Sequence, residues 1–533
     1  MGQKWTYSLL ALLLCTGFQS DGAKILGIFP TPSLSHQLVF QAIMKALVAR
    51  GHEVTVLSTD PLKERLQNYT DVDLSFMYDY VRQRYNFTDY QDVTAFGATL
   101  RFTLHTGIAC NMHLGSPQIQ DFLRVHQGSN RSFDLVFMEM SRYQCYYGLV
   151  HHVGSPPVIG IRSVGVTAVT LAAVGNPNNP AYVPDYYLPF SSSMGLLERI
   201  HNTAYYVWNR FLFHTVQMPA SELVMRYYFG RGPPSVWEAE NNVSLVMVNN
   251  HWSQSYVLPL LPSVVQLGSI HMQEKPRPLP EDLKKFLDGG TKGVIYFSLG
   301  SNVRSETMTE EKKQAFMSTF AELPQRVLWK WETNAMSEVP KNVKLVKWLP
   351  QQEVLAHPNV KLFITQGGLQ SFQEATHHAV PVIGIPFICD QQHNVRKMVD
   401  AGIGVKLDYS TITKDKLVKA ITKVLHDPTF RENMQKFSAV SKDVPDKALD
   451  RAIWWTEYVL RHNGARHLRS ALLDLTWYQY LLLDVVAACL LIIIAGPYLI
   501  YIIIRRILCH LLNHCSNNYQ DINANNIVNK KKS

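Results

Sequence analysis

The chain contains two series of short apolar strands that alternate with amphipathic helices. The first series opens with a strand from Lys24 to Phe29, a helix with apolar residues every three or four positions, and a strand from Glu53 to Ser58. The second series begins at Val294, after the proline-rich segment 271–290. A strand–helix–strand order predicts a parallel sheet with helices on both faces. We therefore expect an α/β fold of two Rossmann-like, doubly wound domains that face a ligand-binding cleft.

These elements, together with apolar segments at the two ends of the chain, predict the domain boundaries. A length of 533 residues exceeds what one ordinary core accommodates, which agrees with two globular domains. The predicted parts are a signal peptide at 1–23, an N-terminal domain at 24–270, a linker at 271–290, a C-terminal domain at 291–470, a juxtamembrane segment at 471–484, a transmembrane helix at 485–504 and a tail at 505–533.

The two terminal apolar segments differ in length, and the difference decides their interpretation. Near the N-terminus, Lys4 precedes an apolar run from Ser8 to Cys15 that is too short to span a bilayer but is typical of a secretory signal. By contrast, Val485 to Ile504 carries no charge and would measure about 30 Å as a helix. Arg505 and Arg506 follow it, which places the tail in the cytosol. The sequence therefore predicts a single-pass type I membrane protein.

The formal charge of +9 and the sequence pI near 9.0 raise the question of an acidic partner. The tail from Arg505 onward holds five basic residues and one acidic residue, so it accounts for four of the nine charges. The body of the chain is nearly neutral and has no basic block. Nucleic-acid binding is therefore not supported.

Further features favour the secretory pathway. Glycosylation sequons occur on the predicted lumenal side, and their asparagines are Asn68, Asn86, Asn130 and Asn242. The chain ends with lysines that include Lys530 and Lys531, which resembles the dilysine retrieval signal of the endoplasmic reticulum, although a solvated basic tail has the same composition. The lumenal cysteines of the mature chain are Cys110, Cys145 and Cys389, which allows at most one disulfide.

The segment from Trp348 to Gln391 carries the most chemical information. Trp348 follows a strand end, where its indole face is suited to stack on a base. The turn 365–368 ends a strand and opens a helix, so its glycines and backbone N–H groups are suited to an anion. Ser371 adds a hydroxyl in the first helical turn. Glu374 and the pair 390–391 add groups that bind sugar hydroxyls.

Over its 44 residues this segment resembles the signature of the UDP-glycosyltransferase family, which includes the UDP-glucuronosyltransferases. The resemblance extends over nearly the whole chain, including the signal peptide, the SLGS sequence after the linker, the sequence Tyr182-Val183-Pro184, and the C-terminal span with its lysine-rich end. It implies a GT-B type fold with an acceptor-binding N-terminal domain and a UDP-sugar-binding C-terminal domain.

The resemblance also implies roles for individual residues. Trp348 stacks on uracil, Gln351 lies close to the nucleoside, and Glu374 binds the ribose hydroxyls. Asp390 and Gln391 bind the transferred sugar. A further group surrounds the diphosphate, and its members are Ser298, Gly300, Ser301, Gly368 and Ser371.

The chain departs from the family pattern at two places. Gln366 stands where many members have histidine, and an amide donates a hydrogen bond but carries no positive charge. His36 matches the family's general base, and imidazole is suited to accepting a proton near neutral pH. Glu139 stands where the aspartate that orients this base is expected, and its side chain is one methylene longer.

The expected activity is a single inverting displacement that transfers a hexose from a UDP-sugar to a hydroxyl of a small lipophilic acceptor, such as a phenol or a steroid-like alcohol. With glutamine at position 366, the chain resembles family members that use UDP-glucose, so glucose is favoured over glucuronate. Three aromatic-rich segments are expected to form the acceptor pocket: Phe76 to Tyr90, Tyr143 to Tyr147 and Tyr186 to Phe213. Many of these aromatic residues are equally suited to a core.

The sequence offers no convincing metal site, and it leaves one alternative function open. Asp71-Val72-Asp73 resembles a metal-binding DxD but precedes an ordinary strand in the wrong domain, and the pairs His151-His152 and His377-His378 lack a third ligand. We therefore expect no metal, and no cofactor beyond UDP-glucose or UDP-glucuronate as co-substrate. A catalytically silent UDP-sugar-binding or lipophile-binding protein, or a modulatory subunit that associates with relatives, is the alternative function.

Overall fold

The computed structural model describes residues 22–128, 132–333, 336 and 338–530, with side chains described up to Tyr519. The chain divides into two compact units at Ser470 and Ala471. The first 21 residues of the predicted signal peptide, the sequon at Asn130 and the retrieval residue Lys531 lie outside the described residues, and Lys530 is described only by its backbone. Of the three cysteines on the predicted lumenal side, Cys110 and Cys145 form a disulfide and Cys389 is free.

The first half of the larger unit is built on a seven-stranded sheet. All neighbouring strands pair in parallel, and the strand order is 3-2-1-4-5-6-7. The strands are β1 Lys24–Phe29, β2 Glu53–Ser58, β3 Tyr69–Asp73, β4 Leu135–Glu139, β5 Val158–Arg162, β6 Leu245–Val248 and β7 Val264–Gln266. Residues of the central strand β4 are buried throughout, as expected for a parallel sheet covered on both faces.

Helices cover both faces of this sheet. Within the described residues they are Leu34–Ala49, Met77–Arg84, Ala95–Leu104, Thr106–Leu114, Pro117–Val125, Tyr147–His152, Ala168–Ala173, Leu196–Leu212, Met218–Phe229 and Val236–Glu240. A short π-helical turn, Phe213–Gln217, joins two of them. Much of the three aromatic-rich segments is therefore helical.

The second half of the larger unit is built on a six-stranded parallel sheet in the order 10-9-8-11-12-13. Its strands are β8 Val294–Ser298, β9 Arg326–Lys330, β10 Val343–Val346, β11 Val360–Thr365, β12 Val382–Gly384 and β13 Gly404–Lys406. The helices of this half are Glu281–Asp288, Glu310–Ala321, Gln351–Leu355, Leu369–His377, Gln391–Asp400, Lys414–His426, Pro428–Lys442 and Ala448–Arg461.

Two of these helices differ from the sequence expectation. Part of the predicted linker is the helix Glu281–Asp288, which buries Leu283 and Leu287 in the second core. The helix Ala448–Arg461 was assigned to the C-terminal domain but packs on the first sheet, with Ala452 and Val459 in the core that surrounds β1. The C-terminal end of the larger unit thus returns to its N-terminal half.

Two local features near the start of the chain bear on the sequence-based predictions. Ser33 occupies the N-cap position of the helix Leu34–Ala49, so His36 lies in the first helical turn. Asp71 and Asp73 lie within strand β3, whereas the sequence pattern placed them before a strand. Their carboxylates accept hydrogen bonds from the backbone N–H groups of Leu62 and Ser75, which explains them as structural residues.

The smaller unit, 471–530, contains the helices Trp477–Tyr480 and Leu483–Lys530. Residues Leu483–Tyr519 are long and apolar enough to cross a membrane, and none of the most apolar window is buried. This candidate span contains the predicted segment 485–504 and extends beyond it at both ends. A helix that is apolar on all sides and uncovered by protein is compatible with a membrane anchor.

Candidate active site

The larger unit contains a cavity of about 770 Å³, which is lined by residues of its first half and of its second half. This volume is typical of ligand-binding clefts. Most of the sequence-predicted site residues line the cavity: His36, Ser298, Gly300, Ser301, Trp348, Gln351, Gln366, Gly368, Ser371, Glu374, Asp390 and Gln391. The polar groups that follow the strands of the second sheet therefore meet His36 from the first half.

A second cavity of about 230 Å³ adjoins the first and is rich in aromatic residues. All three aromatic segments singled out in the sequence contribute to its wall, through residues that include Tyr85, Tyr143 and Tyr187. His36 and Asp390 line both cavities. The large polar cavity and the small aromatic cavity therefore meet at the imidazole.

His36 contacts the carboxylate that the sequence paired with it. Its Nδ1 lies 3.3 Å from Oε1 of Glu139, at the end of β4, and the other carboxylate oxygen accepts a hydrogen bond of 3.2 Å from the backbone N–H of Thr31. Glu139 is buried, whereas the His36 side chain is 22% exposed to solvent. A proton on Nδ1 that faces Glu139 leaves the Nε2 lone pair available as a base.

A hydrogen-bonded cluster surrounds Glu374 in the larger cavity. The amide of Gln351 donates to Oε2 of Glu374 over 2.7 Å and to Oγ of Ser371 over 2.9 Å. The hydroxyl of Tyr296 donates to the Gln351 carbonyl oxygen over 2.9 Å. On the opposite side, Nε2 of His271 lies 3.1 Å from Oε1 of Glu374. These partners hold the carboxylate in one orientation.

Two glycine-containing turns approach each other beside this cluster. Gly300 has a φ of +81°, and a Cβ at this position would lie 2.3 Å from Nε2 of Gln366. Gly367 also has a positive φ, and Gly368 is the N-cap residue of the helix Leu369–His377. Backbone N–H groups at this helix start carry partial positive charge, so the arrangement suits an anion.

Asp390 and Gln391 are fixed by several hydrogen bonds at the junction of the cavities. Oδ2 of Asp390 accepts from the backbone N–H of Leu369 over 3.1 Å and from the Asn394 amide over 2.7 Å. Burial raises the pKa of Asp390, and the Asn394 hydrogen bond opposes this shift. The amide N–H of Gln391 donates to the Gln366 carbonyl oxygen over 3.2 Å, which leaves the Gln366 NH₂ group facing Gly300.

Trp348 lies at the solvent edge of the larger cavity. Its side chain is 57% exposed, so one indole face is free to stack on a planar ligand. Nζ of Lys330 lies 5.7 Å from the ring centroid and donates to the carbonyl oxygen of Gly300 over 3.0 Å. Lys330 thus brings a positive charge beside the turn that Gly300 forms.

Comparison with known proteins identifies the family. Residues 23–517 match the family model described as UDP-glucoronosyl and UDP-glucosyl transferase. The chain belongs to the UDP-glycosyltransferase family. It is an enzyme that transfers a glucosyl or glucuronosyl group from a UDP-sugar donor to a small acceptor.

Individual relatives support this assignment. UDP-glucosyltransferase 2 of Dactylopius coccus is 36% identical over 508 residues, which cover 94% of this chain and 96% of that protein. UDP-glucuronosyltransferase 2B7 of Homo sapiens is 31% identical over 511 residues, with 91% and 93% coverage. The fold matches the structure of a UDP-glucosyltransferase from Polygonum tinctorium with a TM-score of 0.55 at 15% identity, covering 83% of this chain and 99% of that one.

Several cavity residues of this UDP-glycosyltransferase were not found by sequence reasoning. His271 and Lys330 line the larger cavity, whereas Arg142 and Arg162 line the smaller one. His271 lies in what was read as a linker, and Arg142 follows Glu139 by only three positions. The position of Arg142 just after a strand end was the signal that could have identified it.

The remaining predicted sites are described as follows. Asn68, Asn86 and Asn242 are all exposed. Within the described residues, no three histidine, cysteine, aspartate or glutamate side chains are grouped as a metal site would require.

Proposed function

We propose that this UDP-glycosyltransferase is an inverting enzyme in which His36 is the general base and Glu139 orients it. The observation that carries the proposal is the position of His36, whose imidazole lines both cavities and contacts a buried carboxylate. A UDP-sugar in the larger cavity and an acceptor in the smaller one would meet at this residue. General base catalysis of this kind contributes ~10²- to 10⁴-fold to the rate.

The proposed step moves one proton and exchanges one bond. Nε2 of His36 accepts the proton of the acceptor hydroxyl while the oxygen attacks the anomeric carbon of an α-linked UDP-sugar. The bond from that carbon to the diphosphate oxygen breaks, UDP leaves with the electron pair, and the product is the β-glycoside. The buried carboxylate of Glu139 stabilises the imidazolium that forms.

The donor is held by the groups at the carboxyl ends of the second sheet. We assign Trp348 to uracil, Gln351 and Glu374 to the nucleoside, and Asp390 with Gln391 to the hexose. The diphosphate is assigned to Ser298, Gly300, Ser301, Gly368 and Ser371. The start of the helix Leu369–His377 and the NH₂ group of Gln366 supply hydrogen bonds to the leaving group, so the proposal uses the UDP-sugar as co-substrate and no resident metal.

We propose glucose as the transferred sugar. Gln366 is neutral, and a glutamine at this position resembles the pattern of family members that use UDP-glucose. Both points favour the neutral hexose. The acceptor is a small lipophilic alcohol or phenol, which the aromatic wall of the smaller cavity suits. Competition between UDP-glucose and UDP-glucuronate on the purified protein, with a phenol as acceptor, tests the sugar. Equal or preferred transfer of glucuronate contradicts this assignment.

The cellular setting is also a proposal. The apolar helix Leu483–Tyr519 and the basic residues Arg505 and Arg506 support a type I anchor in the endoplasmic reticulum membrane, with the larger unit in the lumen. The exposed sequon asparagines and the disulfide between Cys110 and Cys145 are compatible with an oxidising lumen.

A further inference from the structure

Arg142 places a guanidinium group on the wall of the smaller cavity. The residue follows strand β4, three positions after Glu139. Its Cζ lies 5.0 Å from the ring centroid of Phe102, which lines the same cavity. The cation therefore lies among the aromatic side chains that are proposed to surround the acceptor.

Within the part of the chain that the structure describes, this guanidinium has no carboxylate partner. Among the described residues, no aspartate or glutamate oxygen lies within 4.0 Å of it, and its Nε is buried without a hydrogen-bond partner. The neighbouring groups are neutral, because burial raises the pKa of the Cys389 thiol to about 12 and also raises the pKa of the Tyr187 hydroxyl. The guanidinium hydrogen-bonds the neutral hydroxyl of Tyr187, so among the described residues its charge has no counterion, and a bound anion would compensate it.

The other charges of the smaller cavity are already engaged. Arg162 donates to the backbone carbonyl oxygens of Met140 and Gly165. Asp390 accepts from Leu369 and Asn394, as described above. Arg142, by contrast, is held by neutral side chains, the hydroxyl of Tyr187 and the ring of Phe102.

We propose that Arg142 binds an acidic group of the acceptor, so that the enzyme favours aromatic acceptors that carry a carboxylate in addition to the reacting hydroxyl. This inference rests on the proposed function, because it takes the smaller cavity as the acceptor site. The planar guanidinium matches a carboxylate with two parallel hydrogen bonds, and the aromatic wall packs against the ring. Arg142 lines the smaller cavity and not the larger one, which favours the acceptor over the sugar as the source of the anion.

Binding of two matched compounds to the detergent-purified full chain tests the proposal. The compounds are 4-hydroxybenzoate and its neutral amide, 4-hydroxybenzamide, titrated calorimetrically in the presence of saturating UDP. We expect the wild-type protein to bind the acid ~10-fold or more tightly than the amide, since hydrogen bonds between charged groups have this effect. Arg142→Gln should reduce the ratio to near one, and Arg142→Lys should give an intermediate ratio.

Arg101→Gln is the matched control. Arg101 is exposed, lies on the neighbouring helix Ala95–Leu104 and contacts the ring of Tyr90, but it does not line the cavity. Its removal should leave the ratio unchanged, and an unchanged Kd for UDP shows that each variant is folded. Equal wild-type binding of acid and amide, or a ratio retained in Arg142→Gln, overturns the proposal. A loss of UDP-glucuronate affinity in Arg142→Gln with the acid-to-amide ratio intact also overturns the proposal, because Arg142 would then bind the sugar and not the acceptor.

Sugar transfer to 4-hydroxybenzoate is measured separately. An intact binding preference that depends on Arg142, without any transfer, supports the acid-binding role and contradicts the proposed glycosyl transfer to this site. Transfer to 4-hydroxybenzoate without a binding preference for the acid over the amide supports the proposed glycosyl transfer and contradicts the acid-binding role of Arg142.

Discussion

At the scale of single residues, the contact between His36 and Glu139 supports the orienting role proposed for this glutamate. The backbone N–H of Thr31 holds one carboxylate oxygen while the other reaches Nδ1 of the imidazole. The sequence identified both residues but not this anchoring, since a hydrogen bond between groups more than 100 positions apart has no local pattern.

Glu139→Gln should lower kcat/KM by about 10²-fold, because the amide keeps the size of the side chain but cannot stabilise the imidazolium. The loss should fall on kcat, and KM for the UDP-sugar should stay unchanged. Glu139→Asp should recover part of the loss. Steady-state kinetics check this, with the exposed Glu53→Gln as control. An unchanged kcat in Glu139→Gln would contradict the positioning role.

Gly300→Ala should raise KM for the UDP-sugar by about 10-fold. The added Cβ would lie 2.3 Å from Nε2 of Gln366, and the φ of +81° disfavours any side chain. Gly51→Ala is a matched control, since Gly51 has a φ of +95° but open space at its Cβ position. That control should lower the Tm and leave KM unchanged. An unaltered KM in Gly300→Ala would argue against a tight turn at the diphosphate.

At the scale of elements, the strands were easier to predict than the helices that surround the smaller cavity. Buried strands such as Val294–Ser298 are continuous apolar runs. The helix Thr106–Leu114 packs between other helices, and its Cys110 forms the disulfide with Cys145. Its apolar and polar residues are therefore mixed on all sides. Periodicity therefore gave no signal there. Strands β6 and β7 are only four and three residues long and were not predicted.

The helices Tyr147–His152 and Val236–Glu240 are joined by a buried hydrogen bond to Glu240, whose burial makes stability depend on pH. The Tyr147 hydroxyl donates to Oε2 of Glu240 over 2.8 Å, and burial raises the pKa of Glu240 from 4.5 to about 7. A folded state that holds this proton more tightly than the unfolded chain loses stability as the pH rises from about 4.5 to about 7.

Glu240→Gln should remove this dependence, because the amide never ionises. Relative to the wild type, the variant should gain up to ~3 kcal/mol of stability between pH 4.5 and pH 8. Thermal unfolding at both pH values measures the change, and the exposed Glu238→Gln on the same helix is the control. A Tm difference between variant and wild type that stays constant with pH would refute the assignment.

At the scale of the whole molecule, the two parallel sheets and the meeting of their carboxyl-end groups followed from the sequence. The return of the helix Ala448–Arg461 to the first sheet did not, since its partners around β1 lie more than 400 positions earlier. At least 160 positions likewise separate Arg142 from the residues of the second half that border its cavity. Such arrangements depend on tertiary packing, which periodicity and motifs do not encode.

The division at Ser470 leads to a prediction about membrane attachment. The full chain should stay in the membrane pellet after an alkaline carbonate wash, because Leu483–Tyr519 is long enough to span the bilayer. A chain that ends at Ser470 should be released into the supernatant. Release of the full chain, or retention of the shortened one, would contradict a single C-terminal anchor.

The central claim is that His36 drives an inverting transfer from a UDP-sugar. Proton NMR of the purified protein with UDP-glucose and a simple phenol tests it most directly, because the anomeric proton reports the configuration of the product. The account predicts a β-glucoside that accumulates with UDP, and a rate ~10²- to 10⁴-fold lower for folded His36→Ala. An α-glucoside, or normal turnover by His36→Ala, would contradict it.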